Sequence, residues 1–541
     1  MARTSNHECI SWTYARGHGP LLRASLKYEK KSFAPWIVIA TALSVSSVVV
    51  YPWVYPEQAD RVEFAAVVGP NPALSLIFGP AFDLSTSDGF NAWRALALGG
   101  FLTALGAIFI VVKATRGQED SGQAELLASG VIGRGTRLFT GMCLALICSV
   151  LVGAISGIAT ALCGGGWENS LLLCATFTAT GWMFTGIAAI AAQLGGDAHS
   201  ANTLAVSVLG VLFVLRGFTY SIEAPQWTVW VNPLGWMTET RPATENHWWP
   251  LLLAAAFTAV ALVSAFILDV RRDFGQGATP PRPGPARGKV HSPLRLTLRI
   301  NTGSMIAWAC AFGVLGVVFG YFATSVEEIL RNDSAVSQIL AAGATTPDAL
   351  ISEFIVTILS MVGIIASVSG VQMMIKIRHE ELEDRLEPLL ATAIRRTRYL
   401  GSNVVIALLA PAAYVLIAGT VIAVFVEKAD IGMSLGEVLL QAVTVIPAVW
   451  TVVALAVAVV GARPMVLLAA WAGVLISFAL TILGPPFNLW DWILAISPYW
   501  HIPNVVNSGD SWAGLLWISV ITVAFLALGF AGFRRRDLAQ Q

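Results

Sequence analysis

Two segments of this chain carry acidic and basic side chains at the same spacing. Their patterns are Arg116-x-x-Glu119-x5-Glu125 and Arg378-x-x-Glu381-x5-Glu387. In both segments a short Leu-Leu-Ala stretch follows the acids, and basic residues come next. The charges and apolar positions of the second segment suit a short amphipathic helix at a membrane surface. The alternative is an ordinary solvated loop, but such a loop need not repeat its acids at equal spacing.

The chain offers little that could bind a nucleotide or carry out catalysis. The stretch Gly284-x-x-x-Gly288-Lys289-Val290 has the wrong spacing for a phosphate-binding loop and no Ser or Thr after the lysine. It also lies in a proline-rich segment rather than after a strand. We therefore expect no catalytic residue, no cofactor-binding residue and no metal on this chain, and no ATP hydrolysis by it.

Composition indicates that the repeated segments belong to a membrane protein. Of 541 residues, 56% are hydrophobic and 12% are charged, and the mean hydropathy is +0.70. Soluble domains contain about 45–50% apolar and about 25% charged residues, so these few charges could not cover a soluble surface. The net charge of zero removes nucleic acid as an expected partner, because proteins that bind it usually carry a basic excess.

Apolar runs predict the elements that position the two segments. A helix needs about 20 apolar residues to cross the hydrocarbon core of a bilayer. Twelve runs of this kind occur, near 34–55, 92–112, 138–162, 170–194, 201–220, 248–268, 304–324, 351–375, 400–426, 436–460, 464–484 and 512–533. Within them, Gly153-x-x-x-Gly157 and Gly316-x-x-x-Gly320 would permit close helix contact. We predict an all-α membrane protein with twelve transmembrane helices.

The chain is built from two similar halves. Four patterns occur in the same order in both halves, and the two charged segments are one of them. The other three are Leu22-Arg23-x-x-Leu26-Lys27, which matches Leu294-Arg295-x-x-Leu298-Arg299; Trp227-x4-Val231-Asn232-Pro233, which matches Trp492-x4-Ile496-Ser497-Pro498; and Arg271-Arg272-Asp273, which matches Arg535-Arg536-Asp537. An even number of spans per half predicts a parallel repeat, related by a pseudo-two-fold axis along the membrane normal. The predicted domains are 1–270 and 292–541, and a linker rich in Pro, Gly and Arg joins them over 271–291.

Basic residues predict the orientation. If the N-terminus is inside, 27 Lys and Arg residues fall on the inner side and 6 on the outer side. The positive-inside rule then places both termini in the cytoplasm. Arg outnumbers Lys by 26 to 7, which suggests a GC-rich bacterial genome, so we expect a multi-pass protein of the bacterial inner membrane.

The charged segments carry a family resemblance. The pattern Glu119-x5-Glu125-Leu126-Leu127-Ala128, with its second copy, resembles the coupling-helix region of type-2 ABC exporter permeases. Segments 20–33 and 292–303 resemble the connecting helix before the first span of that family, and 222–247 and 485–511 resemble its re-entrant outer hairpins. Two six-helix domains in one chain resemble the exporter permeases for polyketide antibiotics of the tetronasin type.

The resemblance implies a permease subunit that exports hydrophobic or amphipathic compounds such as drugs and polyketide-like antibiotics, with lipids as a further class. Two copies of a separate ATP-binding subunit would supply ATP and Mg. The coupling residues would be Arg116, Glu119, Glu125, Arg378, Glu381 and Glu387. The first segment departs from the pattern with Gly117, Gly122 and Gly130, and it lacks the proline found at Pro388, so equal docking of both segments is not implied.

In the resembling family, spans 2, 5, 8 and 11 line the central interface. In this chain those spans carry almost no charge and contain apolar and aromatic residues suited to a hydrophobic substrate. The implied substrate-pathway residues are Phe101, Phe109, Phe213, Phe218, Phe354, Met361, Trp471 and Phe478. The alternative for each is plain helix packing or lipid contact.

Two other functions remain open at this point. A twelve-span secondary transporter driven by an ion gradient could also have two parallel halves, but it would be expected to show buried acids or bases for ion coupling. A membrane-embedded, lipid-linked transferase would present acids or histidines on one face. Asp83 and Asp88 share an outer loop, but no base or metal-ligand cluster accompanies them.

Overall fold

The prediction of an all-α membrane protein is confirmed by a computed structural model. It describes residues 18–69, 72–128, 133, 135–222, 224–272, 277, 292–332, 347–382, 384–392, 394–429, 432–483, 490–506 and 511–536. No β-strand occurs in these ranges. The chain divides into two compact units, Met1–Gly284 and Pro285–Gln541. The predicted linker 271–291 lies almost wholly outside the described residues.

Six long helices form the first unit: α1 (His18–Val54), α2 (Ser87–Val112), α3 (Thr136–Leu162), α4 (Trp167–Leu194), α5 (Ala198–Ser221) and α6 (Pro250–Arg271). Short helices Gln58–Val68, Pro72–Phe78, Trp227–Val231 and Pro233–Thr238 join them. The predicted connecting helix 20–33 has no break before the first span, because both belong to α1. After α2, the backbone continues as a π-helical segment, Lys113–Gly117, and then as the short helix Gln118–Asp120.

The second unit has a matching set: α7 (Pro293–Asn332), α8 (Pro347–Leu382), α9 (Arg396–Ala429), α10 (Leu435–Ala462), α11 (Leu468–Phe478) and α12 (Ala513–Arg535). The predicted connecting segment 292–303 is likewise continuous with its span in α7. Short helical segments Ala479–Leu483, Asp491–Leu494 and Pro498–His501 lie between α11 and α12. The remainder of the predicted hairpin 485–511 lies partly outside the described residues.

Eleven of the described helices are long and apolar enough to cross a membrane. They correspond to eleven of the twelve predicted apolar runs. The run 464–484 corresponds to the shorter apolar helix Leu468–Thr481, which ends close to the limit of the described residues. The chain is therefore a multi-pass membrane protein.

One helix lies at the centre of each unit. In the first unit α4 packs against α2, α3, α5 and α6, and in the second unit α10 packs against α8, α9, α11 and α12. The core of the first unit includes the fully buried Phe177 and Phe184 of α4. The core of the second unit is rich in buried Val and Ala from α10. Because α2, α3 and α6 all pack against α4, one end of each of these three helices lies near the C-terminus of α4.

Glycines allow neighbouring helices of each unit to approach closely, as the small-residue pairs predict. A Cβ atom at Gly153 of α3 would lie 2.1 Å from Thr178 Oγ1 and 2.6 Å from the Cys174 carbonyl oxygen of α4. A Cβ atom at Gly316 of α7 would lie 3.0 Å from the Ala418 carbonyl oxygen of α9. Larger side chains at these positions would push the two backbones apart.

Gly153→Val should therefore destabilise the first unit by about 1–3 kcal/mol, the usual cost of overpacking a close contact. Gly210→Val in α5 is the matched control, because nothing lies within 4 Å of a Cβ atom at Gly210. Thermal unfolding of the two purified variants in detergent measures the difference. Equal melting temperatures would show that the contact between α3 and α4 yields without cost.

Candidate coupling site

Each charged segment contains a short helix with an exposed glutamate. In the first unit, Gln123–Ala128 follows α2, and Glu125 is exposed while its neighbour Ala124 is fully buried. In the second unit, Leu386–Leu390 follows α8, and Glu387 is exposed while Leu386 is 1% exposed. In both cases a buried apolar residue directly before the glutamate anchors the short helix. We call these two helices the coupling helices, and the end of each unit that carries them the loop end.

Behind the first coupling helix lies a buried group of charges, the first carboxylate cluster: Arg116, Glu119, Arg137 and Arg272. Glu119 accepts hydrogen bonds from Arg116 Nη1 at 2.8 Å, Arg137 Nη2 at 3.0 Å and Arg272 Nη2 at 2.6 Å. Its side chain is only 6% exposed. Three guanidinium groups thus surround one carboxylate, and Arg272 also lies 3.5 Å from Asp269 Oδ1. Charge-assisted hydrogen bonds of this kind are the strongest in proteins.

Arg116 extends this cluster to the end of α4. Its Nε donates to the Ala192 carbonyl oxygen, and Nη2 donates to the Gln193 carbonyl oxygen at 3.5 Å. The last carbonyls of a helix have no partner within it, and the helix dipole makes this end favourable for a cation. Arg116 therefore caps the C-terminus of α4 while pairing with Glu119. Because Arg116 is 1% exposed, this arrangement is nearly free of solvent.

The second carboxylate cluster lies at the matching place in the second unit: Arg378, Glu381 and Arg536. Glu381 accepts from Arg378 Nη1 at 2.9 Å and from Arg536 Nη2, and its side chain is 1% exposed. Arg536 Nε donates to the Gly461 carbonyl oxygen at the end of α10, at 3.0 Å. Arg396, at the start of α9, donates from Nη1 to the Arg536 carbonyl oxygen at 2.9 Å. The arginine that caps the central helix thus follows α12 here, whereas it precedes the coupling helix in the first unit.

The start of α5 also contacts the loop end of the first unit. Asp120 Oδ2 accepts from the Ala198 backbone N–H at 2.8 Å. Asp197 caps the same helix, since its Oδ1 accepts from the Ser200 N–H at 2.7 Å. Partial burial raises the pKa of Asp197, but the hydrogen bonds from Ser200 and the contacts with His199 together lower it more, so this pKa lies below the usual range. A carboxylate therefore remains charged at the N-terminus of α5, where the helix dipole favours it.

The first helix of each unit is bonded to the start of the coupling segment. Lys113 Nζ lies 2.8 Å from Glu29 Oε2 of α1, and Lys376 Nζ donates to Asn301 Oδ1 of α7 at 3.0 Å. The first contact is an ion pair, and the second is a hydrogen bond to a neutral amide. The connecting segments thus contact the coupling segments in both units.

The structure separates the six predicted coupling residues into two groups. Glu125 and Glu387 are exposed on the coupling helices, where a partner could reach them. Arg116, Glu119, Arg378 and Glu381 are largely buried and bond to their own unit. The other cluster members, Arg137, Arg272 and Arg536, were not predicted from the sequence. The repeated pair Arg271-Arg272 and Arg535-Arg536 was the available signal, since it ends both halves.

The predicted substrate-pathway residues form one aromatic pair. Phe101 of α2 and Phe213 of α5 have ring centroids 5.0 Å apart, and the Arg216 guanidinium lies 5.0 Å above the Phe213 ring. Phe354 of α8 instead packs against Phe322 of α7. Phe109, Phe218 and Phe478 are exposed on their own units, and Met361 and Trp471 are half-buried.

Comparison with known proteins supplies the family. Residues 65–241 match the family model described as "ABC-2 type transporter". Residues 290–534 match the model "Multidrug efflux system permease Rv1217c, C-terminal domain". The chain is also 33% identical over 528 residues to the multidrug efflux system permease protein Rv1217c of Mycobacterium tuberculosis (strain ATCC 25618 / H37Rv), covering 96% of this chain and 94% of the relative. The chain belongs to the ABC-2 type transporter family.

Membership confirms the resemblance of the chain to type-2 ABC permeases. An ABC-2 permease is a transport subunit, and its family implies pairing with an ATP-binding subunit. The loop end of each unit, with its exposed coupling helix and buried carboxylate cluster, is therefore the candidate site for contact with that subunit.

Proposed function

We propose that this permease is the membrane subunit of an ATP-driven exporter for drugs and other hydrophobic or amphipathic compounds. Two copies of a separate ATP-binding subunit, which holds ATP and Mg, dock on the two coupling helices. The excess of basic residues on the loop side supports a cytoplasmic position for this end, and we infer that the protein lies in the inner membrane of a bacterial cell. The halves then rearrange when the ATP-binding subunits close.

One observation carries this proposal: each unit presents an exposed glutamate on a short helix. A buried carboxylate earlier in the segment and a buried apolar residue just before the glutamate hold this helix to its unit. Behind Glu125 and Glu387, buried carboxylate clusters hold the segment against the transmembrane helices. Because the segment is held in this way, a displacement of the short helix by a bound partner can be transmitted to the transmembrane helices. The resemblance to a multidrug efflux permease over nearly the full length of the chain supports drugs as the exported compounds.

The double variant Glu125→Ala with Glu387→Ala tests the proposal. The permease is co-expressed with its ATP-binding subunit in a bacterial host that lacks its own drug pumps, and accumulation of the dye rhodamine 6G is measured. We expect wild-type cells to accumulate several-fold less dye than cells without the pair. The double variant should lose at least nine-tenths of this difference, because each exposed carboxylate would contact the partner.

Glu63→Ala is the matched control, because Glu63 is exposed but lies before α2, at the opposite end from the coupling helices. It should leave dye efflux unchanged. Efflux by the double variant at the wild-type level would contradict the coupling assignment. Efflux that persists without the ATP-binding subunit and collapses with the proton gradient would instead identify a secondary transporter.

A further inference from the structure

At the end of the last helix of each unit, an exposed arginine directly precedes a largely buried one. After α6, Arg271 is exposed and Arg272 is 9% exposed. After α12, Arg535 is exposed, whereas the side chain of Arg536 is 13% exposed. Only the second arginine of each pair bonds to the buried carboxylate of its unit. Neighbouring residues of equal charge thus differ in burial and in membership of a carboxylate cluster.

Each cluster joins the same set of helices. In the first unit, Glu119 follows α2, Arg137 lies in α3, Arg116 caps α4, and Arg272 follows α6. In the second unit, Arg378 and Glu381 belong to α8, Arg396 to α9, the Gly461 carbonyl to α10, and Arg536 follows α12. Different arginines make the contacts, yet helices two, three, four and six of each unit are linked both times.

Arginine suits this linkage better than lysine. A guanidinium group presents several N–H donors in a fixed plane, so one side chain can bind a carboxylate and a carbonyl together. Arg536 does so with Glu381 and Gly461. Arg272 binds both oxygens of Glu119, at 2.6 and 3.4 Å. Low solvent exposure strengthens these contacts, because water neither screens nor replaces them.

We propose that Arg272 and Arg536 are positioning residues that make the last helix of each unit move with its coupling segment. The inference rests on the proposed function, since it concerns how docking at the coupling helices is passed on. When a bound partner displaces a coupling helix, Glu119 or Glu381 moves with it. The paired Arg272 or Arg536 then moves α6 or α12 in the same direction. Without the arginine, the coupling segment moves but the last helix does not follow.

The test compares Arg272→Ala with Arg536→Ala, made together, against Arg271→Ala with Arg535→Ala. Both double variants remove two positive charges from the same helix ends. The permease and its ATP-binding subunit are purified together and reconstituted in liposomes, where rhodamine 6G transport and ATP hydrolysis are measured. We expect the first double variant to retain the ATP-binding subunit but to move at least tenfold less dye per ATP hydrolysed. The matched control should resemble the wild type.

Conservative variants separate linkage from folding. Arg272→Lys with Arg536→Lys keeps the charges, so it should fold and recover at least threefold more dye per ATP than the alanine pair. If the alanine pair folds and the dye it moves per ATP hydrolysed is within twofold of the value for the control variant, the inference is overturned. If the alanine pair does not fold, normal coupling in the lysine pair overturns the inference, because the single ammonium nitrogen of lysine cannot reproduce contacts that two guanidinium nitrogens make in a fixed plane. Reduced coupling in the lysine pair supports the inference.

Two further outcomes are decisive. Loss of the ATP-binding subunit from a folded alanine pair would show that the arginines shape the docking surface, and this would overturn the linkage. Failure of the wild-type complex to move dye would refute the proposed function instead, because the arginine comparison is read only against a wild type that transports.

Discussion

Glu381→Ala is expected to destabilise the second unit by about 3–5 kcal/mol, whereas Glu387→Ala should leave its stability unchanged. Removing Glu381 leaves the guanidinium groups of Arg378 and Arg536 buried without their carboxylate. Breaking a buried ion pair by deleting one partner typically costs this much, because the remaining charge is desolvated and uncompensated. Glu387 is exposed, and exposed charges contribute little. Thermal unfolding in detergent, followed by size-exclusion chromatography, measures both variants.

A double substitution identifies the origin of the loss. Glu381→Ala combined with Arg536→Ala removes a charge of each sign, so it should be less destabilised than the sum of the two single variants. If Glu381→Ala melts at the same temperature as Glu387→Ala, the second cluster does not stabilise the fold. The two glutamates would then be equivalent, as their equal spacing in the sequence suggests.

The sequence predicted the helices well, because their signal is local. Apolar runs such as 138–162 and 170–194 correspond to Thr136–Leu162 and Trp167–Leu194 within a few residues. A bilayer demands about 20 apolar residues in each span, so composition alone shows where most spans lie. The continuous helix His18–Val54 was less accessible, because an amphipathic segment and an apolar segment have different compositions even within one helix.

Burial of the coupling residues could not be read from the repeat. Glu119 and Glu125 have the same residue type and occur in one pattern, yet one is enclosed by arginines and the other faces outward. The difference depends on Arg272, which lies 153 residues along the chain from Glu119. Pattern analysis assigns residue types to a segment, but the partners that bury a charge come from the packing of distant helices.

Backbone geometry also separates residues that the repeat treats as equal. Arg116 lies in the π-helical segment Lys113–Gly117, whereas Arg378 lies within the regular helix α8. A π-helical turn contains more residues than an α-helical turn, so it changes the direction of the side chains that follow. Arg116 accordingly contacts the end of α4, whereas the end of α10 is contacted by Arg536.

This difference predicts unequal effects for matched substitutions. Arg116→Ala should cost about 3–5 kcal/mol, since it removes one charge-assisted hydrogen bond to Glu119 and leaves two buried carbonyl groups of α4 without their donor. Arg378→Ala should cost about 1.5 kcal/mol, the value of one hydrogen bond to a charged group, because Glu381 keeps Arg536. The exposed Arg395 supplies the control Arg395→Ala, which should not change stability.

Unfolding temperatures of the three variants, measured on one preparation series, check the order. Arg116→Ala should melt lowest, then Arg378→Ala, then Arg395→Ala at the wild-type temperature. Equal losses for Arg116→Ala and Arg378→Ala would mean that capping of α4 adds nothing to the ion pair. The reverse order would mean that Arg536 cannot hold Glu381 alone, so the second cluster would depend on the arginine within its own coupling segment.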